Sequence, residues 1–427
     1  MADAWHVATG GALLQPEGNA PGNRGVIIYG GIGMDDMEKV TDLRALLKAY
    51  RRAKRGKRSR AAAIQFGLYP MEGLCKIRWS LMNRSFEMGK YSKFSVYRPV
   101  YREVCTCAFK DKIVLSSLCK NVLWPGVNPH LITDNYASRT GYGTHYALDR
   151  MEANLRRYYI NHGSSGYTLK IDVRKYFYNL SQDAIRDSLR EYGFDDWTLW
   201  LCDVIISSFH CSLKRGYISF GNDGKFRVVF CDMEGMPLLE IGSPIGNESS
   251  QVFAVQYLNK IDHFIKDQCG IKDYGRYMDD SYIIHPSKEY LQDLLATLRK
   301  MYADVGLELN QKTQITPLKN GISFLGMHFY LTNTGKVVRR LKPENIRYQK
   351  VHIREDAQMV ADGKMTEARY WKKRDAWDNH ASHADAKKLR RKMRKYAEEA
   401  LTNAYRKKQR KLGEVGENVD DSSRSPH

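Results

Sequence analysis

The feature that most constrains this chain is a pair of adjacent carboxylates inside a β-prone stretch. Asp279 and Asp280 follow Tyr277 and Met278, and the run 282–284 behind them is Tyr-Ile-Ile. This pattern predicts a strand, a tight turn and a second strand, with the acids at the turn. Two neighbouring like charges are costly unless something neutralises them, and a divalent cation prefers carboxylate oxygens. A pattern this short also arises by chance, so its meaning depends on the rest of the chain.

The charge balance points to a polyanionic partner. The 427 residues include 68 Lys+Arg against 48 Asp+Glu, which gives a net charge of +20 and a pI near 9.4. Such an excess favours nucleic acid over a merely soluble basic protein. The length allows a large core with two or three subdomains. No apolar run is long enough to span a membrane, and residues 1–21 lack the pattern of a secretory signal.

The cysteines indicate a reducing compartment. None of the eight forms a C-x-x-C pair, so neither a disulfide framework nor a zinc site is predicted. We expect reduced, mostly structural thiols and a cytoplasmic protein.

The N-terminal part predicts a basic extension. Residues 1–35 are Gly-rich, and a helical pattern begins at Asp36. The run 51–60 holds seven basic residues in ten, which is either a solvated helix face or a phosphate-contacting patch. We assign 1–60 to this extension.

Residues 91–165 contain two candidate phosphate contacts. Residues 91–119 predict strand, turn, strand and helix, with Arg102 in the middle as a phosphate ligand or an ordinary surface arginine. The glycine-bearing loop 134–144 precedes a helix predicted from Tyr146 to Tyr159, where a backbone phosphate could bind.

The middle of the chain supplies another acid. The β-prone run 167–173 places Asp172 near its end, as a metal ligand or as an N-cap. Residues 181–209 predict helix and 216–240 a hairpin. The small-residue loop from Gly242 opens an amphipathic helix and allows close backbone approach to a flat ligand.

The C-terminal part is helical and basic from Pro343, with breaks predicted near 362–363 and 379–382. Its last helix has seven basic residues within 387–395, which makes it a candidate nucleic-acid clamp. Residues 413–427 turn acidic and lose periodicity, so we expect a disordered tail.

Taken in order, Asp172, a glycine-opened helix and the acid pair resemble the palm of reverse transcriptases. The segments that carry the resemblance are 171–177, 245–251 and 277–280, supported by the region around Arg102 and by 135–144, 309–313 and 324–326. The resemblance covers about residues 90–330. It implies an α+β right-hand polymerase with fingers at 61–165, palm at 166–340 with a fingers-side insertion at about 181–240, and a basic helical thumb at 341–412.

The resemblance also implies a metal site. Two Mg²⁺ ions, with Mn²⁺ as an alternative, would be bridged by Asp172 and Asp279, and the Val173 carbonyl would complete the nucleotide-side metal. Asp280 is the adjacent third acid. If the acid pair is strand-like, its side chain points away from that of Asp279.

Four further residues match nucleotide-binding positions of the family. Arg102 matches a triphosphate contact, and Gln251 lies where the loop and helix face the templating pair. Phe177 matches the steric gate that favours dNTPs, or is a core aromatic. Lys312 matches a lysine proposed to protonate the leaving pyrophosphate, or is a surface lysine. The implied partners are an RNA template, expected to be a structured non-coding RNA, the DNA primer or product, and dNTPs. A small protein partner or a homo-oligomer stays open.

The form Ile-Gly-x-x-x-Ser-Gln at 245–251 resembles bacterial diversity-generating retroelement enzymes and a related unclassified group, many of which serve in phage defence. The long N-terminal extension and the 216–240 insertion favour the defence group. A mutagenic diversity-generating enzyme remains an alternative. So do an RNA-dependent RNA polymerase, against which Phe177 argues, and a catalytically silent RNA-binding scaffold, against which the intact acids argue.

Overall fold

The computed structural model describes residues 34–57, 60–96, 102–209, 216–220, 226–230 and 242–421. The chain divides into two units, Met1–Asp35 and Asp36–His427, and the elements below belong to the second. The Gly-rich extension at 1–33 lies outside the described residues.

Four helices precede the first strand. They are α1 (Asp36–Thr41), α2 (Leu43–Lys54), α3 (Ala61–Phe66) and α4 (Pro70–Met82). The pattern predicted helix from Asp36 onward, and the structure interrupts it at Asp42, whose carboxylate accepts a hydrogen bond from the Ala45 amide at 2.8 Å and so caps α2. Leu46 and Ala49 of α2 are buried, and the basic residues Arg44, Lys48 and Arg51 of this helix are exposed.

A hairpin and a helical segment follow, as the sequence predicted. Strands β1 (Ser92–Val96) and β2 (Arg102–Thr106) pair antiparallel, with Val96 opposite Arg102. Helix α5 (Phe109–Leu118) continues through a π-helical turn into α6 (Trp124–Val127), and α7 spans Thr144–His162.

The central sheet is antiparallel and has the order β6-β7-β3-β8. Its strands are β3 (Tyr167–Asp172), β6 (Tyr274–Tyr277), β7 (Asp280–His285) and β8 (Gln314–Pro317). Leu169, Ile171 and Ile283 of this sheet are fully buried in the main core, so the sheet is anchored by its apolar face.

The segment between β3 and β6 contains helices α8 (Gln182–Glu191) and α9 (Asp196–Ser207), the strand pair β4 (Gly216–Phe220) and β5 (Phe226–Phe230), and helices α10 (Glu248–Tyr257) and α11 (Asn259–His263). The predicted helices and both predicted hairpin strands are confirmed. The turn 221–225 and the stretch 231–241 lie outside the described residues.

Helix α12 (Lys288–Asp304) begins after Ser287, whose hydroxyl accepts from the Tyr290 amide at 3.0 Å and so caps the helix. A second sheet of order β11-β10-β9 follows, made of β9 (Ile322–Phe324), β10 (Met327–Leu331) and β11 (Val337–Leu341).

Three C-terminal helices build a core of their own. They are α13 (Pro343–Ala361), α14 (Glu367–Ala381) and α15 (Lys387–Asp421), and both predicted breaks are confirmed. Helix α15 continues to Asp421, into the stretch from 413 for which we expect disorder, since extending an existing helix needs no new nucleation. The disordered tail stays a prediction. Residues 422–427 lie outside the described range.

Helices and antiparallel sheets in one unit confirm the α+β class. Among the described residues, no helix is both long and apolar enough to cross a bilayer. The described cysteines Cys75, Cys105, Cys107, Cys119, Cys202 and Cys269 are free thiols.

Candidate active site

The acid pair lies at the tip of the β6–β7 hairpin. Tyr277 pairs directly with Asp280, so Met278 and Asp279 form a two-residue loop. Met278 has a φ of 58°, in the left-handed region that primed hairpin turns require. Its side chain is buried, which holds the loop against the core in this unusual conformation.

Asp172 lies directly opposite Asp280 in the register of β3 and β7. Directly opposite residues of an antiparallel pair extend to the same face of the sheet. The sequence predicts that the Asp280 side chain points away from that of Asp279 only if both acids belong to one strand, and this condition is not met because Asp279 belongs to the loop. Asp172 and Asp280 therefore share a face.

Lys170 brings a positive charge to all three acids. It lies two residues before Asp172 on β3, hence on the same face, and its ammonium forms an ion pair with Asp280. Burial lowers the pKa of Lys170 to about 7, and the positive charge of Lys342 lowers it further, while the charges of Asp172 and Asp279 act in the opposite direction. Even with Lys342 beside Lys170, the three partly exposed carboxylates outnumber the positive charges, which leaves the site short of positive charge.

The donor set fits hard divalent cations. It consists of carboxylate oxygens, which Mg²⁺ and Mn²⁺ prefer. Within the described part of the chain, no three His, Cys, Asp or Glu side chains form a group that could hold a metal ion alone. That is compatible with Mg²⁺, which usually binds one or two carboxylates together with substrate phosphates rather than a closed protein cage.

The backbone at Asp172 is fixed by the segment that precedes β8. The Thr313 hydroxyl accepts from the Asp172 amide and donates to its carbonyl, both at 3.2 Å, and the Asn310 amide donates to the same carbonyl at 2.7 Å. Val173 lies opposite Leu309 in an isolated antiparallel bridge. The hydrogen bonds of this bridge are made by the residues next to Val173 and Leu309 and not by these two residues themselves. In such a pair the Val173 carbonyl points away from Leu309.

The predicted nucleotide-binding residues are spread around this centre. Phe177 is half-buried in a 3₁₀ turn and packs edge-on against Tyr176 at 5.7 Å between ring centroids. Gln251 accepts a hydrogen bond from the Ser138 hydroxyl at 3.1 Å, which joins α10 to the glycine-bearing loop. Lys312 is exposed on the turn that precedes Thr313.

Arg102 lies in β2 opposite Val96, and its side chain falls outside the described residues. The charged groups around Lys170 include Asp172, Asp279, Asp280 and Lys342. The contacts described for Phe177 and Lys312 are with other residues.

A buried ion pair supports the hairpin from beneath. Arg276 donates to both carboxylate oxygens of Asp262, at 2.7 and 2.5 Å, and to the Met278 carbonyl at 3.1 Å. Tyr274 donates to the same Asp262 carboxylate at 2.6 Å.

Sequence reasoning missed two of these features. Lys170 could have been found, because a period of two places it on the face of Asp172. Asp262 and Arg276 belong to separate elements, and their pairing left no sequence signal beyond a charged residue within a β-prone run.

The family model described as reverse transcriptase (RNA-dependent DNA polymerase) matches residues 93–329, which is more than half of the chain. No curated protein matches the sequence.

Solved structures of telomerases are similar at low identity. Apo telomerase from Candida tropicalis, truncated from its C-terminal domain, has a TM-score of 0.43 and 13% identity over 62% of this chain and 59% of that chain. Telomerase from Candida albicans, in complex with a fragment of telomeric RNA, has a TM-score of 0.40 and 11% identity over 67% and 55%. Apo telomerase from Candida tropicalis has a TM-score of 0.40 and 12% identity over 61% and 52%. The chain therefore spans a little over half the length of these structures.

Proposed function

Because the chain belongs to the reverse transcriptase (RNA-dependent DNA polymerase) family, we propose that it copies an RNA template into DNA. The fold is accordingly that of a right-hand polymerase, with fingers and palm followed by a C-terminal helical thumb. The domain boundaries given above remain predictions.

The observation that carries the proposal is the convergence of Asp172, Asp279 and Asp280 around one ammonium. DNA synthesis is an in-line attack of a primer 3′-hydroxyl on the α-phosphate of a dNTP. Two bound Mg²⁺ ions, or Mn²⁺, would activate the attacking oxygen and stabilise the leaving one. Asp172, Asp279 and Asp280 would hold the ions, together with the Val173 carbonyl. The hydrogen bonds from Thr313 and Asn310 keep the end of β3 in place for this task.

The remaining residues would bind and select the nucleotide. We assign Arg102 to the triphosphate and Phe177 to exclusion of a 2′-hydroxyl. Gln251 would lie against the templating pair, because its hydrogen bond to Ser138 fixes the start of α10 beside the glycine-bearing loop. Lys312 would protonate the leaving pyrophosphate, and its exposed position leaves it accessible to that group.

The test is incorporation of labelled dNTPs on an RNA template with Mg²⁺. We expect DNA synthesis by the unmodified chain, and none by Asp172→Asn although that variant still binds RNA. Full activity of Asp172→Asn would refute the assignment of the acids. Preferential uptake of rNTPs would instead indicate an RNA polymerase, and metal-independent RNA binding without any synthesis would indicate a silent scaffold.

For the biological role, we propose a bacterial, cytoplasmic enzyme of antiphage defence that uses an associated structured non-coding RNA. The helices α1 and α2 of the N-terminal extension and the segment that contains β4 and β5 support this role over the diversity-generating one. Sequencing the RNA that co-purifies with the protein, and the DNA made from it, would identify the template. A variable-repeat target gene beside the coding sequence would favour mutagenic retrohoming instead. The same purification would reveal a small protein partner or a homo-oligomer.

A further inference from the structure

Helix α4 carries apolar side chains on two different faces. Leu74, Ile77 and Leu81 are buried and pack into the main core. Residues that are three and four apart lie on one side of a helix. A second set at spacings of four, four and three is exposed to solvent, and we call it the apolar stripe: Met71, Cys75, Trp79 and Met82.

The stripe belongs to a concentration of exposed apolar side chains. Trp79 is 65% exposed, and Leu68 and Tyr69 in the turn before the helix are 66% and 72% exposed. Of the sixteen large apolar side chains that are exposed in the described part of the chain, six fall within residues 64–82. Scattered apolar residues are normal at a protein surface, whereas a cluster of them marks an interaction site.

The other sides of α4 are already packed. A Cβ at Gly73 would lie 2.7 Å from the Phe66 ring, so α3 lies close against α4 on the side of Gly73. In a helix of 3.6 residues per turn, position 73 and the buried positions 74, 77 and 81 point to other sides than the stripe. Substituting residues of the stripe should therefore leave the fold intact.

The charge beside the stripe is positive. Glu72 forms an ion pair with Lys76 at 2.6 Å, so this acid is neutralised within the helix. The exposed guanidinium groups of Arg78 and Arg84 have no hydrogen-bond or ion-pair partner among the described residues. An acidic surface would gain ion pairs with both arginines, whereas a basic surface would be repelled.

This charge argues against a second copy of the chain as the occupant. If two copies of α4 paired antiparallel with Cys75 opposite Trp79, Lys76 of one copy would lie opposite Arg78 of the other. In a parallel pair each of these residues would lie opposite its own counterpart. Both arrangements oppose like charges in a chain whose net charge is +20.

Nucleic acid also fits the stripe less well than a protein does. Bases bind without sequence preference by stacking on aromatic side chains, and Trp79 is the one aromatic residue of the stripe. Met71 and Met82 instead offer flexible thioethers, which adapt to the apolar side chains of a protein partner.

We propose that the apolar stripe binds an acidic amphipathic helix of another protein. The stripe is about 16 Å long, or about three turns, which one helix lying alongside α4 covers. Trp79 is the anchor of the contact, and acidic residues of the partner pair with Arg78 and Arg84. Binding at this surface is independent of the proposed polymerase activity.

The test is fluorescence anisotropy with the full chain and a labelled helical peptide that has leucine at the spacing of the stripe and glutamate on both flanks. We expect this peptide to bind. A scrambled peptide of the same composition should bind on the order of tenfold more weakly, because its leucines no longer share a face. A peptide with lysine in place of glutamate should be weakened by a similar factor. Equal binding of the three peptides, or no binding of the first, would overturn the proposal.

The apolar contact is tested by Met71→Ser/Trp79→Ser. Its affinity for the acidic peptide should fall on the order of tenfold or more, because the anchor is removed. The matched control is Ile160→Ser/Met359→Ser, which removes two exposed apolar side chains outside α4 and should bind like the unmodified chain. If the control loses as much affinity as the stripe variant, the proposal is refuted.

The charge contact is tested by Arg78→Glu. This variant should bind the acidic peptide more weakly and the lysine-flanked peptide more tightly than the unmodified chain does. Unchanged affinities for both peptides would contradict the choice of an acidic partner.

Two further results would identify a different occupant. A dimer in sedimentation velocity that Trp79→Ser abolishes, in place of peptide binding, would indicate a second copy of the chain. Binding of single-stranded RNA that depends on Trp79, again without peptide binding, would indicate nucleic acid. Either result would overturn the proposal.

Discussion

Two charged clusters share the β6–β7 hairpin and differ in how completely they are neutralised. Beneath the sheet, Arg276 and Asp262 are 1% and 0% exposed and satisfy each other through two hydrogen bonds. At the tip, Asp280 is 34% exposed, and it shares the single ammonium of Lys170 with Asp172 and Asp279.

This difference in neutralisation distinguishes a buried pair that stabilises the hairpin from acids that can bind a metal. A fully paired, fully buried ion pair has no capacity left for a ligand, and it holds the loop by donating to the Met278 carbonyl. An under-neutralised, accessible acid group is stable only if more positive charge arrives, which is what a nucleotide-bound metal supplies. Four variants test this contrast.

The largest effect is expected for the buried pair. Asp262→Ala leaves the Arg276 guanidinium buried and unpaired, so the free energy of unfolding in urea should fall by about 3–5 kcal/mol. Asp187→Ala removes a carboxylate from the exposed pair with Arg190 and should change it by less than about 1 kcal/mol. Equal effects of the two variants would show that Arg276 is not held by Asp262.

At the tip of the hairpin, neutralising a carboxylate should lower the rate of DNA synthesis rather than the stability of the folded protein. Asp279→Asn should reduce dNTP incorporation on the order of a thousandfold, because a metal ligand contributes several kcal/mol to the transition state. Thermal unfolding should be unchanged or slightly improved, since one of three like charges is removed. An Asp279→Asn protein that unfolds easily would place this residue in the scaffold instead.

The hairpin strand itself should tolerate little added volume. A Cβ at Gly275 would lie 2.6 Å from the Tyr136 hydroxyl and 2.7 Å from that of Tyr282. Gly275→Ala should therefore lower the free energy of unfolding by about 1–3 kcal/mol. In a Tyr136→Leu/Tyr282→Phe background the same substitution should be less costly, because the background removes both hydroxyls and the Tyr136 ring carbon Cε2, which lies 2.8 Å from that Cβ. Additive losses would rule out this clash.

The smallest effect is expected when the positive charge of Lys170 is removed from the tip of the hairpin. Lys170→Met removes a partly exposed ion pair and should lower the stability of the metal-free protein by no more than about 1 kcal/mol. Mg²⁺ should then bind a few-fold more tightly by calorimetry, because the competing ammonium is gone. Weaker Mg²⁺ binding would mean that Lys170 organises the acids rather than competing for them.

The sequence predicted the strands and turns of this site better than the way in which their side chains are placed relative to one another. The hairpin at 277–280 and the strand that ends at Asp172 follow from β-prone runs, and both are confirmed. The direction of the Asp280 side chain was predicted only for a continuous strand through both acids, and the loop at Met278 and Asp279 removes that condition. The buried Asp262–Arg276 pair joins two separate elements, and only the packed chain brings them together.

The helix boundaries show the same limit. Caps such as Ser287 and breaks such as Gly363 are local, and the sequence predicts them well. The length of α15 depends on propagation from the helix already formed before residue 413, which composition alone did not indicate.

The most direct test of the account is Mn²⁺ binding, measured as the loss of the electron paramagnetic resonance signal of the free ion, with an RNA–DNA primer–template and dNTP present. The account predicts binding to the unmodified protein and to Asp187→Asn. It predicts no detectable binding to Asp172→Asn/Asp279→Asn, although this variant remains folded and still binds the primer–template. Unchanged Mn²⁺ binding in that double variant would contradict the assignment of the acid hairpin as the catalytic centre.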